Sequence, residues 1–576
     1  MPRSTCALFI LLATCCSLVA CGGGDPHADV VSGALKAHTA EFEKKVYTVT
    51  EGVHVAVGFG LANSILIEGT DGAIIVDTME SLEEAATVRA EFEKITNKPV
   101  RALVFTHNHT DHVFGSRTWA DTEPEVYAHE TTDAYIDRIA SVLRPIIGTR
   151  AMRMFGTYLD QAGLENAGIG PYLGITPESN LGILRPTKTF RDRLETTVAG
   201  VKMVLVHAPG ETNDQIFVWL PEKKVLLPGD NFYRAFPNLY TIRGTPFRSL
   251  DAWVSSLDTM RALKPEYLVP SHTRPLTGAD KIENALRDYR DAIQYVHDQA
   301  VRGINRGLTP DDLAAEIKLP PHLARSPYLQ PFYGNVAWSV RSMFSGNLGW
   351  FDGNSATLQP LPPRDEAELM ARLAGGSGRI LEQARAELDD KNYQAALQLT
   401  DYILRLDPGS SGGKDVRVRA LKALGGREEN ANARHYYLTE AWEVENGEIA
   451  RERSTPDAAT ARSFPLDVFF KNLRVNLNPE ASADVDQKVG FVFTDTGERY
   501  TVHVRRGIAE ITPALKDDLD IKVRLDSGVW KEMLARVRRP VITAGTFTYE
   551  KGSAISFLGF LRMFQPAEQK MPYALE

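Results

Sequence analysis

Between Val53 and Asp77 the chain alternates apolar and polar positions in strand-like runs. Val53, Val55 and Val57 recur at a spacing of two, and Ile65-Leu66-Ile67 and Ile74-Ile75-Val76 flank the turn Gly69-Thr70-Asp71-Gly72. Two apolar runs around an Asp-Gly turn predict a hairpin. The period then lengthens: Leu82, Ala85, Val88, Phe92 and Ile95 share one face of a helix, and Arg101–Phe105 follows as a short apolar strand. Strand, helix, strand in this order predicts a layered α/β domain. Further strands are expected at Val201–Val206, Gln215–Leu220, Lys224–Leu227 and, after a helix, Tyr267–Pro270, placing this domain at 40–290.

Beyond Ala279 the pattern turns helical, first at Ile282–Val301. Pro360–Pro363 and Gly375-Gly376-Ser377-Gly378 read as boundaries. Helices follow at Ile380–Leu388, Tyr393–Leu406, Val416–Leu424 and Ala433–Val444, spaced like tetratricopeptide pairs but without a second copy of a repeat motif. A helical unit at 291–450 with a packing or dimerisation role is expected. The period returns to two at Val489, Phe491 and Phe493, turns at Asp495-Thr496-Gly497, and alternates back through Tyr500, Val502 and Val504. With a strand at Ile521–Leu525 and a last helix carrying Phe557, Leu558, Leu561 and Phe564, this predicts an α+β domain at 463–576.

Composition narrows the functional classes. The 576 residues carry 65 Lys+Arg against 74 Asp+Glu, a net charge of −9, which argues against a general nucleic-acid binder. The four cysteines, Cys6, Cys15, Cys16 and Cys21, all precede residue 22, so the body of the chain has neither a thiolate metal site nor a cysteine nucleophile. Met1-Pro2-Arg3 followed by an apolar stretch reads as an export signal over 1–21. Its end, Leu18-Val19-Ala20-Cys21 before Gly22-Gly23-Gly24, resembles a bacterial lipobox. That resemblance implies a lipid anchor at Cys21 and a place in the cell envelope, periplasm or outer membrane. An ordinary cleaved signal and a membrane anchor are the competing readings.

Candidate chemistry gathers after the strand Arg101–Phe105, in His107-Asn108-His109-Thr110-Asp111-His112. Four imidazole or carboxylate ligands in six residues suit zinc or a similar divalent ion. Alternate residues of extended backbone point apart, so the two histidines of His-X-His need a bend to converge. A turn at Thr110 would aim Asp111 and His112 at a second ion, and two ions about 3.5–4 Å apart would share a water and lower its pKa toward 7.

The HxHxDH string is the signature of the metallo-β-lactamase fold, and the sequence resembles that superfamily, an αββα sandwich, at further points. Val76-Asp77-Thr78 ends its opening strands. By analogy Asp77 orients ligand histidines; a turn or N-cap role before Ser81 is the alternative. Glu211 in Pro209-Gly210-Glu211, Asp230 in Pro228-Gly229-Asp230 and His272 in Pro270-Ser271-His272 stand where members carry their remaining ligands, with Asp214 as the fallback for Glu211. A glutamate at that point, a helical middle and a C-terminal α+β domain resemble the alkyl sulfatases, whose last domain is sterol-carrier-like and thought to gather apolar substrate.

The resemblance implies one ion on His107, His109 and Glu211 and another on Asp111, His112 and His272, with a bridging, catalytic Asp230; zinc is the default. It also implies that Asn238 and Arg243 hold the sulfate, a role for which a guanidinium fork is independently suited, with Arg248 a weaker candidate. Two departures bear on substrate: Phe232–Pro237 lacks the histidine the family has there, leaving the general acid unassigned, and Phe114 replaces a glycine, with an expected effect on the pocket floor. The implied activity is hydrolysis of small amphipathic alkyl sulfate esters by a homodimer. A lactonase, phosphoesterase or β-lactamase on the same fold, and a non-enzymatic lipid-binding lipoprotein, are the rivals.

Overall fold

The computed structural model describes residues 31–139, 142–176, 178–571 and 573. The signal segment 1–21 and the expected anchor Cys21 lie outside the described residues. Two sheets face each other in the first unit. One has seven strands in the order 45–50, 53–57, 64–68, 73–76, 100–104, 125–129, 188–190, antiparallel as far as 73–76 and parallel from there. The other has six, in the order 276–277, 267–268, 225–227, 216–220, 201–207, 193–198, with 225–227 parallel to 267–268.

Alternation along these strands sorts the side chains into layers. Ile65, Ile67, Ile74, Val76, Ala102 and Val104 meet Met203, Leu205, Ile216, Val218, Val225 and Leu227 between the sheets. The intervening Leu66, Ile75 and Leu103 point to an outer layer with Val88 and Phe92 of the helix Leu82–Phe92. Phe217, Leu226 and Leu268 point the opposite way, to a layer with Trp253 and Leu257 of the helix Leu250–Ala262. Both faces of the central strands are buried, which is why these strands read as unbroken apolar runs, while the edge strands 45–50 and 193–198 stay partly exposed. The expected αββα sandwich is present.

The domain boundary at 290 needs revision. The helix Ala279–Asn305 runs unbroken across it, and its Ile282, Leu286, Ile293 and Val296 lie in the same core as Trp253. One apolar stripe continues along the whole helix, so nothing separates its halves. The expected boundaries at Pro360–Pro363 and Gly375–Gly378 are helix punctuation instead. Pro363 opens the helix Pro363–Ala374, and Gly375, at φ +84°, closes it. The helices Ser377–Asp389, Tyr393–Leu406, Ser411–Arg427 and Ala431–Asn446 follow in succession, as the spacing predicts.

The C-terminal unit has a five-stranded sheet in the order 508–512, 499–505, 486–493, 521–525, 548–551. Phe491 and Phe493 are buried with Phe470, Tyr500, Trp530 and Phe557 beneath its helices. The expected alternation is therefore the inner face of this sheet, filled with aromatic side chains.

Leu226→Ala is predicted to destabilise the two-sheet unit by about 2–5 kcal/mol. Chemical denaturation followed by tryptophan fluorescence reads this; a loss below about 1 kcal/mol contradicts burial of Leu226 against the outer helices.

Candidate metal centre and substrate cleft

Five strands running the same way within their sheets deliver residues to one edge of the sandwich: Asp77 after 73–76, the His107–His112 loop after 100–104, Glu211 after 201–207, Asp230 after 225–227 and His272 after 267–268. The chain bends as the motif requires, with His109 extended (φ −61°, ψ 148°) as the residue before the helical turn Thr110–Val113. Asp230 is set by a tight turn over Gly229–Asn231. Gly229 has φ +59°, and a Cβ there would meet the Gln215 amide at 2.0 Å, so the turn requires glycine.

All seven expected ligands come together. Their ligand atoms form three groups within 4.8 Å: His107, His112 and Asp230; Asp111, His112 and His272; His109, Glu211 and Asp230. Asp230 Oδ2 lies 3.2 Å from His272 Nε2, 3.5 Å from His112 Nε2 and 3.7 Å from His107 Nε2. Asp111 Oδ2 is 3.4 Å from His112 Nε2 and 3.5 Å from His272 Nε2. In these tightest groupings His107 sits with His112 and Asp230, while His109 is the imidazole beside Glu211.

Three of the histidines are turned by partners on their outer nitrogens. Asp77 accepts His112 Nδ1 at 2.8 Å, Leu61 O lies 2.8 Å from His272 Nδ1, and Thr106 Oγ1 lies 3.0 Å from His107 Nδ1. Each leaves Nε2 facing the cluster. Asp77, at φ +58°, also accepts Thr106 N–H and Oγ1–H at 2.9 Å each and Ser271 Oγ–H at 2.7 Å. Ser81, not Asp77, caps the helix Leu82–Phe92, so the orienting role is the one Asp77 fills.

The donor set fits divalent cations. His107 Nε2, His112 Nε2 and Asp230 Oδ1 are buried without hydrogen-bond partners, a costly state unless something else meets them. Burial, then the neighbouring histidines, hold His107 and His109 well below the usual imidazole range, leaving them neutral and able to donate a lone pair. Burial opposes ionisation of Asp230, but His272, His112 and His107 outweigh it and hold its carboxyl well below the usual range.

Some expected residues have other work. Asp214, the fallback for Glu211, faces away: its Oδ1 accepts Asn108 Nδ2–H at 2.6 Å and its Oδ2 accepts Thr132 Oγ1–H at 2.9 Å, which pins the motif loop. Arg248 is committed to Glu211, with Nη1 2.9 Å from Oε1 and both side chains 2% exposed, and also donates to Asn238 O. Phe114 is buried in the outer helical layer rather than at the pocket floor. The adjacent Gly115 takes the close approach, since a Cβ there would meet Thr78 O at 2.0 Å. Asn238 is buried, and both polar atoms of its amide lack a partner among the described residues.

A cleft opens over the cluster, with His109, Asp111, Glu211 and Asp230 at its floor and Arg243 beside them. Arg243 Nη2 lies 3.4 Å from His109 Nε2, and Nη1 donates to Thr241 Oγ1 at 3.1 Å. Much of the wall is apolar, from Leu61, Ile147, Met152, Phe155, Ile169 and Leu173, and Arg138, Arg144 and Glu452 also line it. The helix Arg144–Phe155 that supplies much of this wall is held from the helical unit by the buried pair Arg153–Glu443 (2.8 Å) and by His435 against Met154 O. Sequence reasoning missed this helix and Tyr333, a buried residue of the cleft beside Arg243. It also missed Tyr233, which lies in the histidine-free loop Phe232–Pro237 and whose hydroxyl donates to Glu211 Oε2 at 3.3 Å. Burial and the Glu211 charge hold the Tyr233 phenol well above its ordinary value, so it keeps its proton.

Asp77→Asn, which weakens the support behind His112, is predicted to lower metal affinity about 10- to 100-fold. Competition with a chromogenic chelator measures it; unchanged affinity contradicts the orienting role.

The geometry agrees with what the chain is similar to. Residues 57–272 match the family described as Metallo-beta-lactamase superfamily, 309–447 match Alkyl sulfatase dimerisation, and 454–571 match Alkyl sulfatase C-terminal. A linear primary-alkylsulfatase of Pseudomonas sp. (strain ATCC 19151) is 38% identical over 482 residues, 80% of this chain and 90% of that protein. An (R)-specific secondary-alkylsulfatase of Pseudomonas sp. is 28% identical over 531 residues, 88% of this chain and 79% of that protein. The solved structure of the stereoselective inverting sec-alkylsulfatase Pisa1 from Pseudomonas sp. superposes with a TM-score of 0.84 at 25% identity, covering 93% of this chain and 87% of that one. With a metal-ligand cluster beneath an apolar cleft and a 38% identical relative covered almost end to end, the chain belongs to the alkyl sulfatase family of the metallo-β-lactamase superfamily.

Proposed function

We propose that the protein is a metal-dependent hydrolase of alkyl sulfate esters, releasing alcohol and sulfate. The observation that carries this reading is the arrangement of the cleft: a guanidinium and a cluster of metal-type ligands share its floor, and aliphatic and aromatic side chains make up much of its wall. An alkyl sulfate has the complementary form, a tetrahedral anion on an apolar chain.

His107, His109, Asp111, His112, Glu211, Asp230 and His272 would hold two divalent ions, with Asp230 shared because it alone joins the group at His107 and His112 to the group at His109 and Glu211, and its Oδ2 also lies 3.2 Å from His272 Nε2. Zinc is favoured by the imidazole and carboxylate donors. When bound, such ions supply positive charge for the ester oxygens and acidify water. The chain's own part is binding and orientation. Arg243 offers its fork to the sulfate, and the unpartnered Asn238 amide is the second candidate donor. Phe155, Met152 and Ile147 hold the alkyl chain and keep water from it. Tyr333, whose phenol burial pushes above its ordinary value, stays protonated and keeps a hydrogen-bond donor beside Arg243.

The reading extends to the whole chain. A homodimer formed through the helical unit is supported by the dimerisation match at 309–447 and by exposed apolar side chains there, Trp350 at 72% and Leu373 at 74% among them. Export and lipid anchoring at Cys21 rest on the lipobox-like sequence. No helix among the described residues is long and apolar enough to cross a membrane. A purely lipid-binding role has less support, because Phe491 and Phe493 of the C-terminal unit are spent on its own core.

Arg243→Ala is predicted to lower kcat/KM on linear alkyl sulfates about 10²–10³-fold with metal content unchanged. The assay runs beside a lactone, a phosphoester and a β-lactam, with ¹⁸O-labelled water to identify the bond cleaved. An effect within about threefold removes Arg243 from the sulfate site. Faster turnover of a non-sulfate substrate overturns the substrate class.

A further inference from the structure

Glu80 is a fully buried carboxylate outside the metal cluster, and nothing described so far uses it. Its Oε1 accepts two backbone N–H groups, from Leu61 and Gly174, at 2.8 Å each. These come from separate loops. The carbonyl of Leu61 faces His272 Nδ1 at 2.8 Å, so this one residue is held by Glu80 on its N–H side and orients a metal-facing histidine on its C=O side. The side chains of Leu61 and of Leu173, the neighbour of Gly174, line the apolar wall of the cleft. Space is left for the carboxylate: a Cβ on Gly60 would stand 2.7 Å from both Glu80 oxygens.

A second carboxylate converges on the same place. A Cβ on Gly174 would meet Glu84 Oε1 at 2.3 Å and Glu80 Oε1 at 3.0 Å, so both acids crowd the same side of that glycine. Glu80 Oε2 is buried without a hydrogen-bond partner, and no cation is among the groups that act on Glu80 among the described residues. The charged and titratable groups facing the pair are Asp111, Glu83, Tyr172 and Lys44. Lys44, the one cation of these, has its Nζ 4.9 Å over the Phe59 ring. Glu84 is half-buried and its Oε2 accepts the Ser81 hydroxyl, while its Oε1 is the oxygen on the Glu80 side. A buried and a half-buried carboxylate crowded together without a bonded cation do not both ionise readily. Burial, then the Glu84 charge, push Glu80 above the ordinary carboxylate range, and burial pushes Glu84 the same way.

We propose that Glu80 and Glu84 share a proton, and that Glu80 is a positioning residue that fixes His272 through Leu61 and the apolar wall of the cleft through Gly174. Loss of the shared proton sets two negative charges against each other behind both loops. Catalysis on a well-held chain then declines as pH rises past the point where the pair ionises, above the ordinary carboxylate range. The kinetic part of this inference rests on the sulfate-ester reading; the metal-binding part does not.

The test uses the full chain with Glu80→Gln, Glu84→Gln and Glu80→Ala. Both glutamine variants keep the oxygen that receives Leu61 and Gly174, and remove the like-charge repulsion. They are expected to bind metal within about threefold of the parent, while the alkaline fall of kcat/KM on alkyl sulfates moves up by about one pH unit or more or disappears. Glu80→Ala leaves two buried N–H groups unmet. It is expected to lose about tenfold or more in metal affinity by chelator competition and to raise KM for long-chain esters. An alkaline limb unchanged in both glutamine variants overturns the shared proton. Parent-like metal affinity in Glu80→Ala overturns the positioning role, and if that variant fails to fold, Glu80→Met, which fills the space without an acceptor for the Leu61 and Gly174 N–H groups, takes its place with the same expected loss. A parent inactive on every alkyl sulfate sinks the substrate reading instead, and the chelator assay still decides whether Glu80 supports His272.

Discussion

The site depends on one buried carboxylate that binds no substrate and sits outside the ligand cluster. Asp77 Oδ1 takes the Thr106 N–H, and Oδ2 takes Thr106 Oγ1, Ser271 Oγ and His112 Nδ1, all within 2.9 Å. Those partners lie beyond the ends of the strands 100–104 and 267–268, which belong to different sheets. One side chain therefore ties the two halves of the sandwich together where the ligands gather, and sets the tautomer of the histidine at their centre. An unsatisfied carboxylate in this position would cost several kcal/mol, so its four bonds and the geometry of the edge stand or fall together.

From that tie the remaining features follow in layers. Apolar alternation fixes which residues lie between the sheets, and so fixes where each strand ends. The strand ends fix the ligands, and the ligands present nitrogen and oxygen atoms that nothing in the chain satisfies. The cleft above is built from more distant sequence: the helix Arg144–Phe155, Tyr333 after the long helix, and Glu452 at the mouth in ion-pair contact with Arg144. The helical unit thus contributes to the site by bracing its wall through Arg153–Glu443, as well as by any role in assembly.

Much of this was legible in the sequence because it is local. The His107–His112 string, the strands before it and the turns at Glu211, Asp230 and His272 are short-range patterns, and all seven residues converge. The reading went astray where direction or distance mattered. Phe114 turns into the outer core while Gly115 takes the tight approach, and of the two carboxylates weighed at one position it is Glu211, not the fallback Asp214, that faces the cluster. The boundary at 290 failed because a continuous apolar stripe carries one helix from 279 to 305. The cleft wall, Tyr333 and the Glu80–Glu84 pair leave no local signal, since their meaning comes from partners far along the chain.

Asp230 is the carboxylate on which the two-ion account turns, because it alone joins the ligand group at His107 and His112 to the one at His109 and Glu211. The most direct test is elemental analysis of metal per chain in the parent and in Asp230→Asn, both loaded under the same conditions and desalted. The account predicts about two ions per chain in the parent and one or fewer in the variant, with hydrolysis abolished. Two retained ions in Asp230→Asn, or a parent that holds a single ion while fully active, would contradict it.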